Sequence, residues 1–298
     1  MKHILITGGT GLVGTHLTPM LLSKGYEVAY LSRTSGTKDG IKKFAWDVQK
    51  STVDVEALKW ADAIIHLAGA GVADKKWSES RKKVILESRT ETTKLLYNTL
   101  KLEGIKLDAF VSASAMGYYG FKTSDHIYKE TDAPGDDFLA QVVIAWEHAV
   151  QMIKSLDIRT AMLRVGVVLA KEGGALKQMN FPPVLAPLGS GKQWFPWVHV
   201  EDLAQMFVWA LENTNANGPY NAVGLDPKTN KTFTKTLANV SGKPFLPIGA
   251  PAFALKAVMG EMANMILEGS RVSSDKILQE GFDYKFNDLE SALKDLDV

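Results

Sequence analysis

The chain of 298 residues contains no cysteine. That excludes disulfides, thiolate metal sites and a cysteine nucleophile, and it suits a reducing compartment. An excess of one charge is also missing: 34 Lys and Arg stand against 33 Asp and Glu. Neither a broad basic field for nucleic acid nor an acidic tail is expected. No stretch approaches the ~20 uninterrupted apolar residues of a membrane span. The opening Met1-Lys2-His3-Ile4 leaves no room for a signal peptide's apolar core before Gly8. No set of His, Asp and Glu has metal-ligand spacing, and no Ser sits in a nucleophile elbow. With 46% hydrophobic and 22% charged residues, the composition is that of a globular protein, expected in the cytoplasm, of one large domain or two modest ones.

What is present is organised around Thr7-Gly8-Gly9-Thr10-Gly11-Leu12-Val13-Gly14. The apolar run His3-Ile4-Leu5-Ile6 before it reads as a buried strand, and Thr15 to Leu22 after it has apolar residues at helical spacing. Strand, glycine turn and helix together make a dinucleotide fingerprint. Gly8 permits the tight turn, Gly11 lets a pyrophosphate approach, and Gly14 lets helix and strand pack closely. The spacing is G-x-x-G-x-x-G rather than G-x-G-x-x-G, and a ligand-free glycine turn is the alternative.

Further strands are expected at Glu27–Leu31, Lys43–Trp46, Ala61–Leu67, Ala109–Ser114 and Arg159–Val165, with helices at about 78–102 and 138–156. Alternation of this kind predicts an α/β fold, a doubly wound parallel sheet of Rossmann type whose strand C-termini share one ligand-binding edge. The stretch 171–199 is rich in Gly and Pro, yet carries Phe181, Trp194, Phe195 and Trp197, too many aromatics for disorder. A helix at 201–212 follows, then a helical tail whose apolar part is Phe253–Met259. The division expected is a Rossmann domain over 1–245 and a smaller C-terminal domain over 246–298 that covers the cleft.

These residues resemble the extended short-chain dehydrogenase/reductases, the branch of NAD-dependent epimerases and dehydratases, and within it an epimerase-family subgroup with a C-terminal domain of unknown function. The resemblance is carried by the glycine turn, His66-Leu67-Ala68-Gly69, Trp77 to Arg89, Gly117-Tyr118-Tyr119-Gly120, Pro134 to Phe138, Trp146-Glu147, Arg164 to Leu169, Gly189 to Phe195, Trp197-Val198-His199 and Leu267 to Leu296. It implies cofactor contacts from Gly8, Thr10, Gly11, Leu12, Val13, Gly14, Ser32, Arg33, Leu67, Ala68, Gly69, Arg89 and Val168.

An NAD site usually ends its second strand with Asp or Glu on the ribose 2′-hydroxyl. Here that strand ends Leu31-Ser32-Arg33, with no carboxylate before Asp39. Arg33 can pair a 2′-phosphate with two hydrogen bonds, so the cofactor expected is NADP(H).

The catalytic pattern of the superfamily is broken. It requires a Tyr, a Lys four residues later and a Ser or Thr; Tyr and Lys share a helix face so that the ammonium stabilises the phenolate. Anchored on Glu147, the Tyr position falls on Leu139 and the Lys position on Val143. The Ser position falls on Ala115, one residue past Ser114. Tyr118 or Tyr119, helped by Ser114, is the candidate substitute. In an extended segment one of the two tyrosines faces the nicotinamide and the other packs. Without a lysine to stabilise a phenolate, the phenol serves as a proton donor, which favours carbonyl reduction. His199 is next in line. Two functions stay open: an oxidoreductase or epimerase on a small carbonyl or nucleotide-sugar-like substrate, or a silent NADP(H)-binding sensor or scaffold. No nucleic-acid or membrane partner is expected.

Overall fold

The computed structural model describes residues 1–298. Seven parallel strands form its centre: β1 (His3–Thr7), β2 (Glu27–Ser32), β3 (Ile41–Asp47), β4 (Ala63–His66), β5 (Ala109–Ala115), β6 (Arg159–Val165) and β7 (Gly218–Ala222). Their order is β7-β6-β5-β4-β1-β2-β3; two short antiparallel strands beside β3 complete a sheet of nine. Central strands such as β1 and β4 are apolar on both faces because helices cover both.

On one face lie α1 (Leu12–Ser23) and α4 (Val200–Glu212), with Leu17, Leu21, Leu203 and Phe207 fully buried against the sheet. On the other lie α2 (Glu79–Leu102) and α3 (Phe138–Lys154), whose Leu96, Leu100, Val150 and Ile153 join the second core. Side-chain caps define the starts of both: Ser78 accepts from the Arg81 amide, and Asp137 from the Ala140 amide. Strand order reverses between β1 and β4, so a crevice opens beyond their C-terminal ends.

One strand lies beyond those expected from the sequence: β7, which opens with Gly218-Pro219. Proline is tolerated there because β7 is an edge strand. In the tail, α6 (Ala252–Met259) buries none of its residues. The anchoring comes later: Ile277, Phe282 and Tyr284 enter the core shared by α1 and α4, while Leu289, Ala292 and Leu293 pack with Phe233 and Leu237 of α5 (Asn230–Val240). Those later side chains sit in a core that α6, perched on surface loops, does not reach.

Candidate functional site

The glycine turn sits at the point of strand reversal. Gly8 has φ +70, and a Cβ there would come within 3.0 Å of the Leu67 and Ala68 backbone. A Cβ on Gly14 would lie 2.4 Å from the Gly9 carbonyl oxygen. The turn therefore closes only with glycine at both positions. Gly11 is the N-cap of α1, with no side-chain cap and no acidic residue in the first turn. The amides of Leu12 and Val13 have no acceptor within the chain. Unpaired amides and the positive end of the helix dipole make this a fit for a diphosphate. Leu12 also reaches the segment after β6: a Cβ on Gly174 would meet Leu12 at 3.3 Å and the Val168 carbonyl at 3.7 Å. Thr10 is exposed at the tip of the turn.

The loop Leu67-Ala68-Gly69 forms the opposite lip. The Leu67 and Ala68 amides donate to Thr7 Oγ1, each at 3.1 Å. The Ala70 amide donates to Ser88 Oγ, and Arg89 Nη1 donates to the Ala70 carbonyl at 3.0 Å. Arg89 thus holds the loop from α2, and burial lowers its pKa to about 10, still cationic at neutral pH. His66 lies beneath, fully buried. Thr7 Oγ1 and its Nδ1 share a hydrogen bond at 2.7 Å, and Nε2 faces Thr92 and Thr93. Burial pushes its pKa down to about 3, which keeps it neutral. It is a packed strand-end residue bonded to the same Thr7 hydroxyl that ties down Leu67 and Ala68.

At the end of β2, Ser32 closes a local turn by donating to the Thr34 carbonyl. Arg33 is exposed and makes no ion pair.

Deeper in the cleft, Gly117 packs against Leu139 and Val143, the apolar residues at the Tyr and Lys positions. Residues Met116–Tyr119 form a 3-10 turn, not the extended segment expected. The two tyrosines still separate, at 87° to each other. Tyr119 is buried; its hydroxyl donates to Asn221 Oδ1 at 2.7 Å and accepts from Arg164 Nη1 at 3.0 Å. Burial pushes its pKa up to about 12, despite the nearby guanidinium. Ser114 donates to Glu147 Oε1 at 2.6 Å instead of supporting a tyrosine. Arg164 Nε and Nη2 clasp the two Glu147 oxygens, each at 2.8 Å. Burial alone would lower the Arg164 pKa, but the paired Glu147 outweighs it and holds the guanidinium charged. Ser114, Glu147, Arg164, Tyr119 and Asn221 therefore form one satisfied network inside the protein. Tyr118 is the exception. It is half-buried, its hydroxyl has no partner within the chain, and the Arg164 guanidinium carbon sits over its ring.

Sequence reasoning missed Asn221 and Glu130, which accepts the Asn221 amide. The signal would have been a polar residue in the strand hidden behind Gly218-Pro219. Other candidates have structural tasks. Asp137 caps α3 and also accepts from the Phe121 amide. His199 is buried away from the tyrosines. Its Nδ1 accepts from the Glu201 amide, and its ring packs against Phe286, tilted by 38°, at 3.9 Å between centroids. Burial lowers its pKa to about 4. His199, Glu201 and Asp295 bring ligand atoms within 4.8 Å of one another, but the Lys285 ammonium, 2.6 Å from Glu201, is their cation. The aromatic run divides as well. Trp197 is in the core, Phe195 packs against Phe233 at 4.1 Å with the rings tilted by 41°, and Phe181 is exposed. Trp194 is half-buried, as Phe195 is, and lies beneath Arg271 at 4.8 Å.

Comparisons agree with this architecture. Residues 4–223 match the NAD dependent epimerase/dehydratase family, and residues 250–296 match a domain of unknown function, DUF1731. An epimerase family protein of Staphylococcus epidermidis is 34% identical over 99% of both chains. The crystal structure of the human epimerase family protein SDR39U1 (isoform 2) with NADPH superposes with a TM-score of 0.88 at 34% identity, covering 99% of this chain and 98% of that one. A nucleoside-diphosphate sugar epimerase from Corynebacterium glutamicum gives 0.79 at 30% identity, with 99% of this chain matching 58% of that one. On sequence, fold and crevice alike, the chain belongs to the NAD dependent epimerase/dehydratase family.

Proposed function

We propose that this protein is an NADP(H)-dependent, epimerase-like oxidoreductase acting on a small carbonyl compound or a nucleotide-sugar-like substrate, with Tyr118 as proton donor. The observation that carries the cofactor reading is Arg33, exposed and unpaired where an NAD site would place a carboxylate. Ser32 stands beside it. The turn residues Gly8, Thr10, Gly11, Leu12, Val13 and Gly14 would hold the pyrophosphate. Leu67, Ala68 and Gly69, braced by Arg89, would line the ribose side, and Val168 would meet the far end. The NADPH in the human relative's crystal structure supports the same choice. NADPH, when bound, supplies a hydride to the substrate carbon.

The chain's own residues handle the proton. The Tyr118 hydroxyl, free of internal partners, gives its proton to the carbonyl oxygen and is reprotonated from solvent. Arg164, 3.4 Å from the ring centroid, holds the phenol in place. Tyr119 and Ser114 hold Arg164 and Glu147 in place, so they act as positioning residues.

A second reading, an NADP(H)-binding sensor without turnover, is favoured by one observation: Leu139 and Val143 fill the Tyr and Lys positions as packing residues. Incubating the protein and NADPH with aldehydes, ketones and nucleotide sugars separates the two. Loss of reduced-nicotinamide absorbance, or an epimerised product, supports the enzyme. Tight NADPH binding with no product from any compound leaves the sensor.

A further inference from the structure

The near-neutral net charge conceals a separation of charge. From Gly173 to Val200, and again from Pro227 to Gly260, there is no Asp or Glu, while seven lysines occur: Lys177, Lys192, Lys228, Lys231, Lys235, Lys243 and Lys256. The two stretches are one lobe. Leu185 bridges to Phe245, Leu188 bridges to Ala250, and Trp194-Phe195 pairs with Lys228-Thr229. Lys228 is paired with Asp226. Lys177, Lys192, Lys231, Lys235 and Lys256 are exposed and have no carboxylate partner.

The same lobe carries the most exposed apolar side chains of the molecule outside one helix end. Phe181 is 86% exposed, Phe253 78%, Ile248 72% and Val258 65%. Phe253 and Val258 belong to α6, apolar on every side except Lys256 and burying nothing. The others stand on loops stiffened by Pro182, Pro183, Pro244, Pro247 and Pro251, which lose little entropy on ordering.

In place of the expectation of no membrane partner, we propose that this lobe docks on an anionic lipid bilayer surface, with α6 lying in the interface. Phe253, Ile248 and Val258 would enter the headgroup–acyl boundary while the unpaired lysines face lipid phosphates. Charge decides the occupant. A second copy docked through the same face would set Lys231, Lys235 and Lys256 against their own copies, while the flanking carboxylates Glu261 and Asp297 are already held by Lys82 and Lys171. A nucleic acid would satisfy the lysines but leave the apolar side chains in water. No helix is long and apolar enough to cross a membrane, so the attachment is peripheral and reversible.

The test is co-sedimentation of the full chain with sucrose-loaded vesicles, either pure phosphatidylcholine or about one third phosphatidylglycerol. Binding should be at least ~10-fold stronger on the anionic vesicles and should fall as salt is raised. Phe253→Asp with Ile248→Asp should abolish it, and Lys231→Glu with Lys235→Glu should weaken it, with unfolding midpoints within the range of surface substitutions. Equal or absent binding on both vesicle types overturns the proposal. So does a wild-type dimer at micromolar concentration that Phe253→Asp converts to monomer, since the face would then be covered by a second copy.

Discussion

The Arg164 guanidinium carbon lies 3.4 Å from the centroid of the Tyr118 ring, while the same side chain clasps both carboxylate oxygens of Glu147. One arginine thus serves a buried ion pair and an open phenol. Tyr118→Phe should lower turnover by about 10²- to 10⁴-fold, the range for a general acid, with NADPH affinity unchanged. Steady-state rates and fluorescence titration read the two quantities. Full activity in Tyr118→Phe would place the proton donor elsewhere.

Tyr119→Phe should behave differently. Its hydroxyl serves Asn221 and Arg164 inside the protein, so its loss leaves buried polar groups unpaired. A destabilisation of about 1–3 kcal/mol is expected. Glu147→Ala should cost more, about 3–5 kcal/mol, because it leaves the buried Arg164 charge uncompensated. Urea unfolding midpoints rank the two; equal, negligible shifts would mean that water replaces the network.

Arg33→Ala should weaken NADPH binding roughly 10- to 100-fold, the loss of a charge-assisted pair with the 2′-phosphate. NADH affinity should hardly move, since NADH lacks that phosphate. Parallel titrations of both nucleotides against wild type and variant decide it. An equal loss for both would make Arg33 a general electrostatic contact.

Stability should fall on mild acidification. His66 and His199 have pKa values lowered by burial to about 3 and about 4. Unfolding restores both to ~6.5. Their stability contribution is therefore complete above about pH 6.5 and is lost as pH falls toward 4, at about 1.4 kcal/mol per pH unit for each. Asp202 opposes this. Burial raises its pKa to about 6, so the folded state takes up that proton first and gains stability between about pH 6 and 4. The net slope should be near that of one histidine. Urea midpoints across this range should show it, with Asp202→Asn steepening the decline and His66→Gln flattening it. A flat profile in the wild type would contradict the buried neutral histidines.

Six of the seven parallel strands were legible in the sequence because fully buried parallel strands must be apolar on both faces, and runs such as Ala63–His66 alternate with helical segments. The glycine turn was legible too, since Gly8 and Gly14 answer to backbone clashes that no side chain relieves. Arg33 was legible as a residue type at a strand end. Three things belonged to tertiary structure. Tyr118 and Tyr119 are neighbours of identical chemistry, and only the turn of the 3-10 segment gives one hydroxyl to Arg164 and Asn221 and leaves the other hydroxyl open. Aromatic residues in the loop 171–199 look alike along the chain, yet Trp197 fills a core while Phe181 meets solvent, because burial depends on what distant segments bring against each ring. The lysine-bearing apolar lobe likewise arises from two acid-free stretches that β-bridges join. Local spacing determines which backbone conformations and which chemical groups a segment offers. Which groups meet, and which are left without a partner, is decided by contacts between residues far apart in the chain.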